Sequence, residues 1–559
     1  MSESGKTDHE QFDYEISENE GGTMRERRIQ RVAHNVVQPF YRAGLFQTHS
    51  RQPLIHLNLS NSTATSQGGN DNEKAREFLY SLDGDLREGT EKTKSVFSSA
   101  SIYKVPYNLL ELNRKAYTPQ LITIGPLHQW GRGEYVKQHY ANNLFLRIIE
   151  GKADEGKSNK KTEVLLECVK EMEMAVDDAK KCYATEYVDM DVKMMVVDGC
   201  FILELLYRYY ELMRKEKTKP INGGNSGNSK AWSSTQQPQE GESEDTSKSS
   251  RRGQEMIDPI FDSISAENII KQDLLLLENQ IPFFVLEKLF KLTVEKIPNR
   301  PHKCSLTDYV LFYFRDTLNP EGNSTGECVL QVSGEGENLA GKPKQYYHIL
   351  HLLHENYLPK QEPGPKAKHK AKFSEFTLSA SNLEYAGVQF KPLSGNNLFN
   401  VKFIEDQGLS WWCRRASFAI PAIGIHEPTE PFLRNLIAFE QCCPGVSQHF
   451  TSYAFLMDML INSEKDVQVL KDAKVIYNYL GADEDASNLF NTLCKGVFLD
   501  DFYFDDPCRR AFKYSEYGWP KILAYWKRTY FASPWAFIGF CLAFIAFGMS
   551  VTQFVYGFF

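Results

Sequence analysis

Polar groups inside apolar sequence are where chemistry would be sought first in this chain. The stretch "DLLLLENQIPFFVLEKLF", residues 273–290, carries Glu278, Asn279 and Gln280 between leucines and phenylalanines, and "DVKMMVVDGCFILELLYRYYELMR", 191–214, carries Asp198 and Glu204 in the same way. A carboxylate buried without a partner costs several kcal/mol, so each must be paired or protonated. Such carboxyls serve either as acid–base groups or as the polar anchors of a fold. Glu204 has a local partner, because Arg208 lies four residues on in the favourable acid-first order. Asp198 and Glu278 have only apolar residues or Pro282 one turn away, so they must reach across the fold. Arg434, Asn435, His348, His351 and His354 are the candidate partners, and spacing does not rank them.

Pro282 removes a backbone donor and disfavours helix at the residue before it, so a helix beginning near Asp273 is expected to end or kink at about Gln280. The freed carbonyls would be bound by Asn279 and Gln280, which assigns those amides to hydrogen bonding at a helix junction rather than to catalysis. His348, His351 and His354 spread over too wide an arc of helix to hold one ion, and no HExxH accompanies them. The acidic run "DDFYFDDP", 500–507, lacks the glycine and the closing Glu of an EF-hand loop and reads as a solvated face or a helix cap. No phosphate-binding loop, dinucleotide fingerprint or nucleophile elbow is present. No catalytic, cofactor-binding or metal-ligating residue is therefore assigned. An enzyme with an unfamiliar site is the alternative, and Asp198, Glu278 and His128 would be its candidates.

Helical periodicity dominates the elements that must position these groups. Helices are expected over about 133–150, 160–185 and 191–214, the last apolar nearly all round and hence central. The run "QLITIG", after Pro119, suggests a strand or an extended segment. Alternating runs between about 383 and 425 suggest a small antiparallel β element, after which helical spacing returns. The fold class is mainly α: a large helical assembly, a small antiparallel β insert and one C-terminal transmembrane helix. Residues 1–100 are read as a mostly disordered arm, with a possible basic amphipathic helix at 24–46, and 101–528 as the helical domain. That domain is interrupted by a low-complexity insertion at 218–253 and a basic Pro-rich loop at 358–373, and 529–559 form the anchor.

The bulk numbers bound the class. With 559 residues and a formal charge of −8 the chain can bury a large core but shows no cationic surface of the kind nucleic acid requires. Its 11 cysteines lack any CxxC pair, which points to reduced thiols in a reducing compartment. The acidic start has no apolar core, so no cleaved secretory signal is expected. From Trp535 the sequence "WAFIGFCLAFIAFGMSVTQFVYGFF" is about 25 residues long, or ~37 Å as a helix, enough to span a bilayer. Lys521, Lys527 and Arg528 precede it, which places the body of the protein in the cytosol. The sequons at Asn58, Asn61 and Asn323 should then stay bare.

The stretches "IYKVPYNLLELNRKAYTPQLITIGPLH", "MMVVDGCFILELL", "DLLLLENQIPFFVLEKL", "GVQFK", "RNLIAFEQC" and "YFASPWAFIGF", in that order, resemble the plant-specific family called domain of unknown function 247. Two departures stand out. The chain reads Gly125-Pro126-Leu127-His128-Gln129 where the family carries "GPYHH", and it is read as having Tyr135 to His139 where the family carries an early Glu-x-x-Lys. The resemblance implies a mostly helical protein with a C-terminal transmembrane segment and no established enzymatic activity. It also implies that grass members can be pollen-side determinants of self-incompatibility. The expectation drawn from residues and resemblance together is a membrane-anchored, non-enzymatic recognition protein with an unidentified protein partner. A structural scaffold at an internal membrane is a further alternative.

Overall fold

The computed structural model describes residues 68–128, 131–149, 154–185, 187–218, 258–298, 300, 304–315, 317, 345–359, 378–393, 397–405, 416–516, 522, 525 and 534–557. The expected basic helix at 24–46, most of the insertion at 218–253, most of the loop at 358–373 and the three sequons lie outside these residues. The chain divides into two units, one of which is described only at Pro106–Asn108; the account below concerns the other, residues 62–105 and 109–559.

Its helices come in chain order as α1 Gly68–Ser99, α2 Glu134–Ile149, α3 Asp154–Lys181, α4 Val192–Thr218, α5 Ile264–Asp273, α6 Phe283–Leu292, α7 Leu306–Tyr313, α8 Ile349–Tyr357 and α9 Ala380–Tyr385. Strands β1 Val388–Leu393, β2 Lys402–Glu405, β3 Ala416–Pro421 and β4 Ile423–Ile425 follow. Then come α10 Thr429–Cys442, α11 His449–Leu460, α12 Glu464–Asp472, β5 Ile476–Asn478, α13 Asp483–Leu493, α14 Asp505–Glu516 and α15 Pro534–Tyr556. The mainly α class and the small β component are as the sequence implies. In the acidic run, Asp505 and Asp506 fall in the first turn of α14, where negative charge favours the helix. The first part of the fold differs: residues 68–99, read as part of an irregular arm, form the helix α1.

Helix α4 is the axis of one half. Its residues from Phe201 to Tyr207 are buried on every side, and α2, α3, α6 and α7 pack around it. Gly199 lets α6 come close, since a Cβ there would lie 2.3 Å from Leu289 Cδ1. Charge inside this half is neutralised in place: Glu204 accepts both Arg208 and Arg147, the latter at 2.9 Å to each oxygen, and Arg208 reaches on to Asp258, which also accepts the Tyr140 hydroxyl at 2.6 Å. The local partner Arg208 is the one sequence spacing names; Arg147, 57 residues away, is not.

The other half is built on α10. Glu440, fully buried, accepts the N–H groups of Phe450 and Thr451 at 2.9 and 2.7 Å, the Thr451 hydroxyl at 2.7 Å and a contact from His354 Nε2 at 2.8 Å. One side chain thus caps the N-terminus of α11 and ties α8 to α10.

The sheet corrects the expected strand directions. β3 lies between β1 and β2, antiparallel to β2 but parallel to β1, with Phe418 facing Phe390 on one side and Phe403 on the other. Only β2 and β3 are successive strands that can return antiparallel; β3 enters between the first two and so runs with β1. Alternation of apolar and polar residues reports burial of a face and carries no information on direction. A second small sheet pairs β4 with β5 in parallel.

Of the nine cysteines among the described residues, five, Cys168, Cys200, Cys304, Cys443 and Cys508, are buried. Replacing Glu440 by Ala should lower the free energy of unfolding by about 3 kcal/mol, since it strands two helix N–H groups and a buried imidazole. Chemical denaturation of the full chain in detergent measures this.

Candidate functional site

The segment after Pro119 is extended, as its β-branched residues favour, but it joins no sheet. Its donors go instead to side chains. Asp273, the last residue of α5, accepts the N–H groups of Gln120, Leu121 and Ile122, each at 2.8 Å. Thr123 donates to the Arg132 carbonyl at 3.3 Å, Ile124 to Asn279 Oδ1 at 2.7 Å and Gly125 to Asp198 Oδ2 at 2.8 Å. Every N–H from Gln120 to Gly125 is thereby paired.

The 273–282 stretch corrects a second expectation. Its helix ends at Asp273 instead of beginning there, tight turns follow, and Pro282 stands at the head of α6. Asn279 Nδ2 donates to the carbonyls of Ile122 and Asp273, and Gln280 Nε2 to those of Leu274 and Leu276. Both amides do bind freed carbonyls, so the hydrogen-bonding role expected of them is met, with the helix on the other side of the junction.

The candidate partners sort differently from the sequence reading. Asp198 binds none of the five; Lys137 Nζ lies 2.6 Å from its Oδ1, and the same ammonium donates to the Thr123 carbonyl at 3.0 Å and meets Glu134 at 3.1 Å. The Glu-x-x-Lys spacing read as missing is therefore present, one position earlier, as Glu134 and Lys137. Of the five, Asn435 does reach the stretch, accepting the Leu277 N–H at 2.9 Å while donating to the Ala116 carbonyl. Arg434 pairs with Glu430 at 2.7 Å, His348 Nε2 meets the Ser101 carbonyl at 3.0 Å, His351 accepts the Tyr347 N–H at 3.0 Å, and His354 joins Glu440.

Glu278 accepts the Val105 N–H at 2.7 Å through Oε1, and its Oε2 stands 4.0 Å from His128 Nε2. The structure thus brings together two of the three residues an enzyme reading would use. Burial, and then the Arg132 charge, lower the His128 pKa to about 4; burial raises Glu278 against the Val105 N–H and Lys104. The nearby Cys442 thiol is pushed up to about 12 by burial, with Cys443 and Glu278 adding to it, so it is a thiol and not a nucleophilic thiolate near neutral pH. Burial raises Asp198 to about 6, opposed by Lys137 and the Gly125 N–H. What the arrangement can do chemically is exchange a proton between His128 and Glu278 through a bridging molecule; it presents no activated nucleophile beside them. Among the described residues no group of three or more His, Cys, Asp and Glu side chains could hold a metal ion.

The family model described as "Plant protein of unknown function", domain of unknown function 247, matches residues 102–549. The chain belongs to this family. It is 28% identical over 470 residues to UPF0481 protein At3g47200 of Arabidopsis thaliana, covering 79% of this chain and 83% of that one. It is also 30% identical over 166 residues to Putative UPF0481 protein At3g02645 of the same plant, covering 30% of each. No solved structure matches it. The matched region holds every member of the junction, from Val105 to Asn435, and begins just after α1.

Sequence reasoning missed Asp273, Lys137 and Glu440. The first had a visible signal, an acid directly before four leucines, and Lys137 is signalled only as a lone charge on the buried side of α2.

Two measurements check the junction. Asp273→Ala should cost about 3 kcal/mol by leaving three N–H groups without an acceptor. Gly125→Ala should cost about 2 kcal/mol, because φ there is +69° and the new Cβ would lie 2.6 Å from the Gln280 carbonyl oxygen. Both are read from unfolding curves of the full chain. A third uses pH. Burial, reinforced by His351, holds His348 down at about 3, below the unfolded value of 6.5. The folded state therefore binds fewer protons than the unfolded one between these values, and the contribution of the neutral ring, complete above pH 6.5, is lost as pH falls towards 3. His348→Gln should lower the melting temperature at pH 7 and by clearly less at pH 4. Asp198 acts with the opposite sign between about 4 and 6 but cancels in the comparison.

Proposed function

We propose that the protein is a membrane-anchored, non-enzymatic interaction protein whose helical body stands on the cytosolic side of a bilayer and binds a protein partner. The observation that carries this is α15. Trp535–Tyr556 is a 22-residue apolar helix of which no part is buried in the protein, with Trp535, Leu542, Phe544, Phe547 and Phe554 all exposed. It is ~33 Å long, against a hydrocarbon thickness of roughly 30 Å. The comparison with α4 is instructive: its stretch Phe201–Tyr207 is also strongly apolar, apart from Glu204, and it is enclosed by the fold. A solvent of lipid is the environment that α15 fits. The basic residues Lys521, Lys527 and Arg528 before it support the cytosolic orientation.

The non-enzymatic part is supported by the junction, where the buried carboxyls and amides are taken up in main-chain hydrogen bonds. The finer reading, a part in pollen–stigma recognition, rests on the family resemblance alone.

Full-length protein expressed in plant microsomes should stay in the pellet after alkaline carbonate, and a form ending before Pro534 should be released. Protease added to sealed microsomes should digest the body. Release of the full-length form by carbonate, or a body protected in sealed vesicles, would overturn the anchor or its orientation respectively.

A further inference from the structure

We draw no further inference here: the strongest candidate, the His128–Glu278 side-chain pair at the edge of the junction, belongs to the site already described, and nothing in the structure shows what would lie between its Nε2 and Oε2 atoms, 4.0 Å apart.

Discussion

Buried peptide groups must be hydrogen-bonded, and the segment from Gln120 to Gly125 obeys that constraint without belonging to any regular element. An extended strand ordinarily finds its acceptors on a neighbouring strand. Here they are offered by Asp273, Asn279 and Asp198, three side chains from two different parts of the chain, with the Arg132 carbonyl filling the one gap. The arrangement locks the 120–125 segment, the 273–280 turns and the central helix α4 into one body. A carboxylate that accepts several main-chain N–H groups behaves as a structural member, and removing it breaks several bonds at once.

The same device recurs. Glu440 caps α11 from α10, and Asp466 accepts the N–H groups of Ser381, Asn462 and Ser463, joining α9 to the start of α12. In each case an acid on one helix supplies the acceptor that a loop or helix end lacks. This explains why so many acids sit in apolar surroundings in a protein where no catalytic motif is found. His128 and Glu278 are the exception in kind, since the histidine Nε2 has no hydrogen bond and the two side chains meet at the edge of the junction.

Three long helices show how differently apolar residues can be used. α4 is enclosed by the fold and forms its core; α15 is apolar on all faces and covered by none of it; α1 has one apolar seam and lies in the open. Their surroundings differ as their patterns do.

Much of this was legible in the residues. The helical class, the central helix, the long apolar helix near the C-terminus and the Glu204–Arg208 pair follow from periodicity, length and i,i+4 spacing, all of which are local properties of the chain. The need of Asp198 and Glu278 for distant partners was legible too, because a lone buried carboxyl is costly wherever it sits. Which partners they have was not. Lys137 is 61 residues from Asp198, and Val105 is 173 from Glu278. The parallel direction of β1 and β3, the end of α5 at Asp273 and the sheetless path of the 120–125 segment were likewise decided by the assembled fold. Local sequence sets what a group requires from its surroundings, but hydrogen bonds are short and directional, so which group meets that requirement depends on how the helices pack.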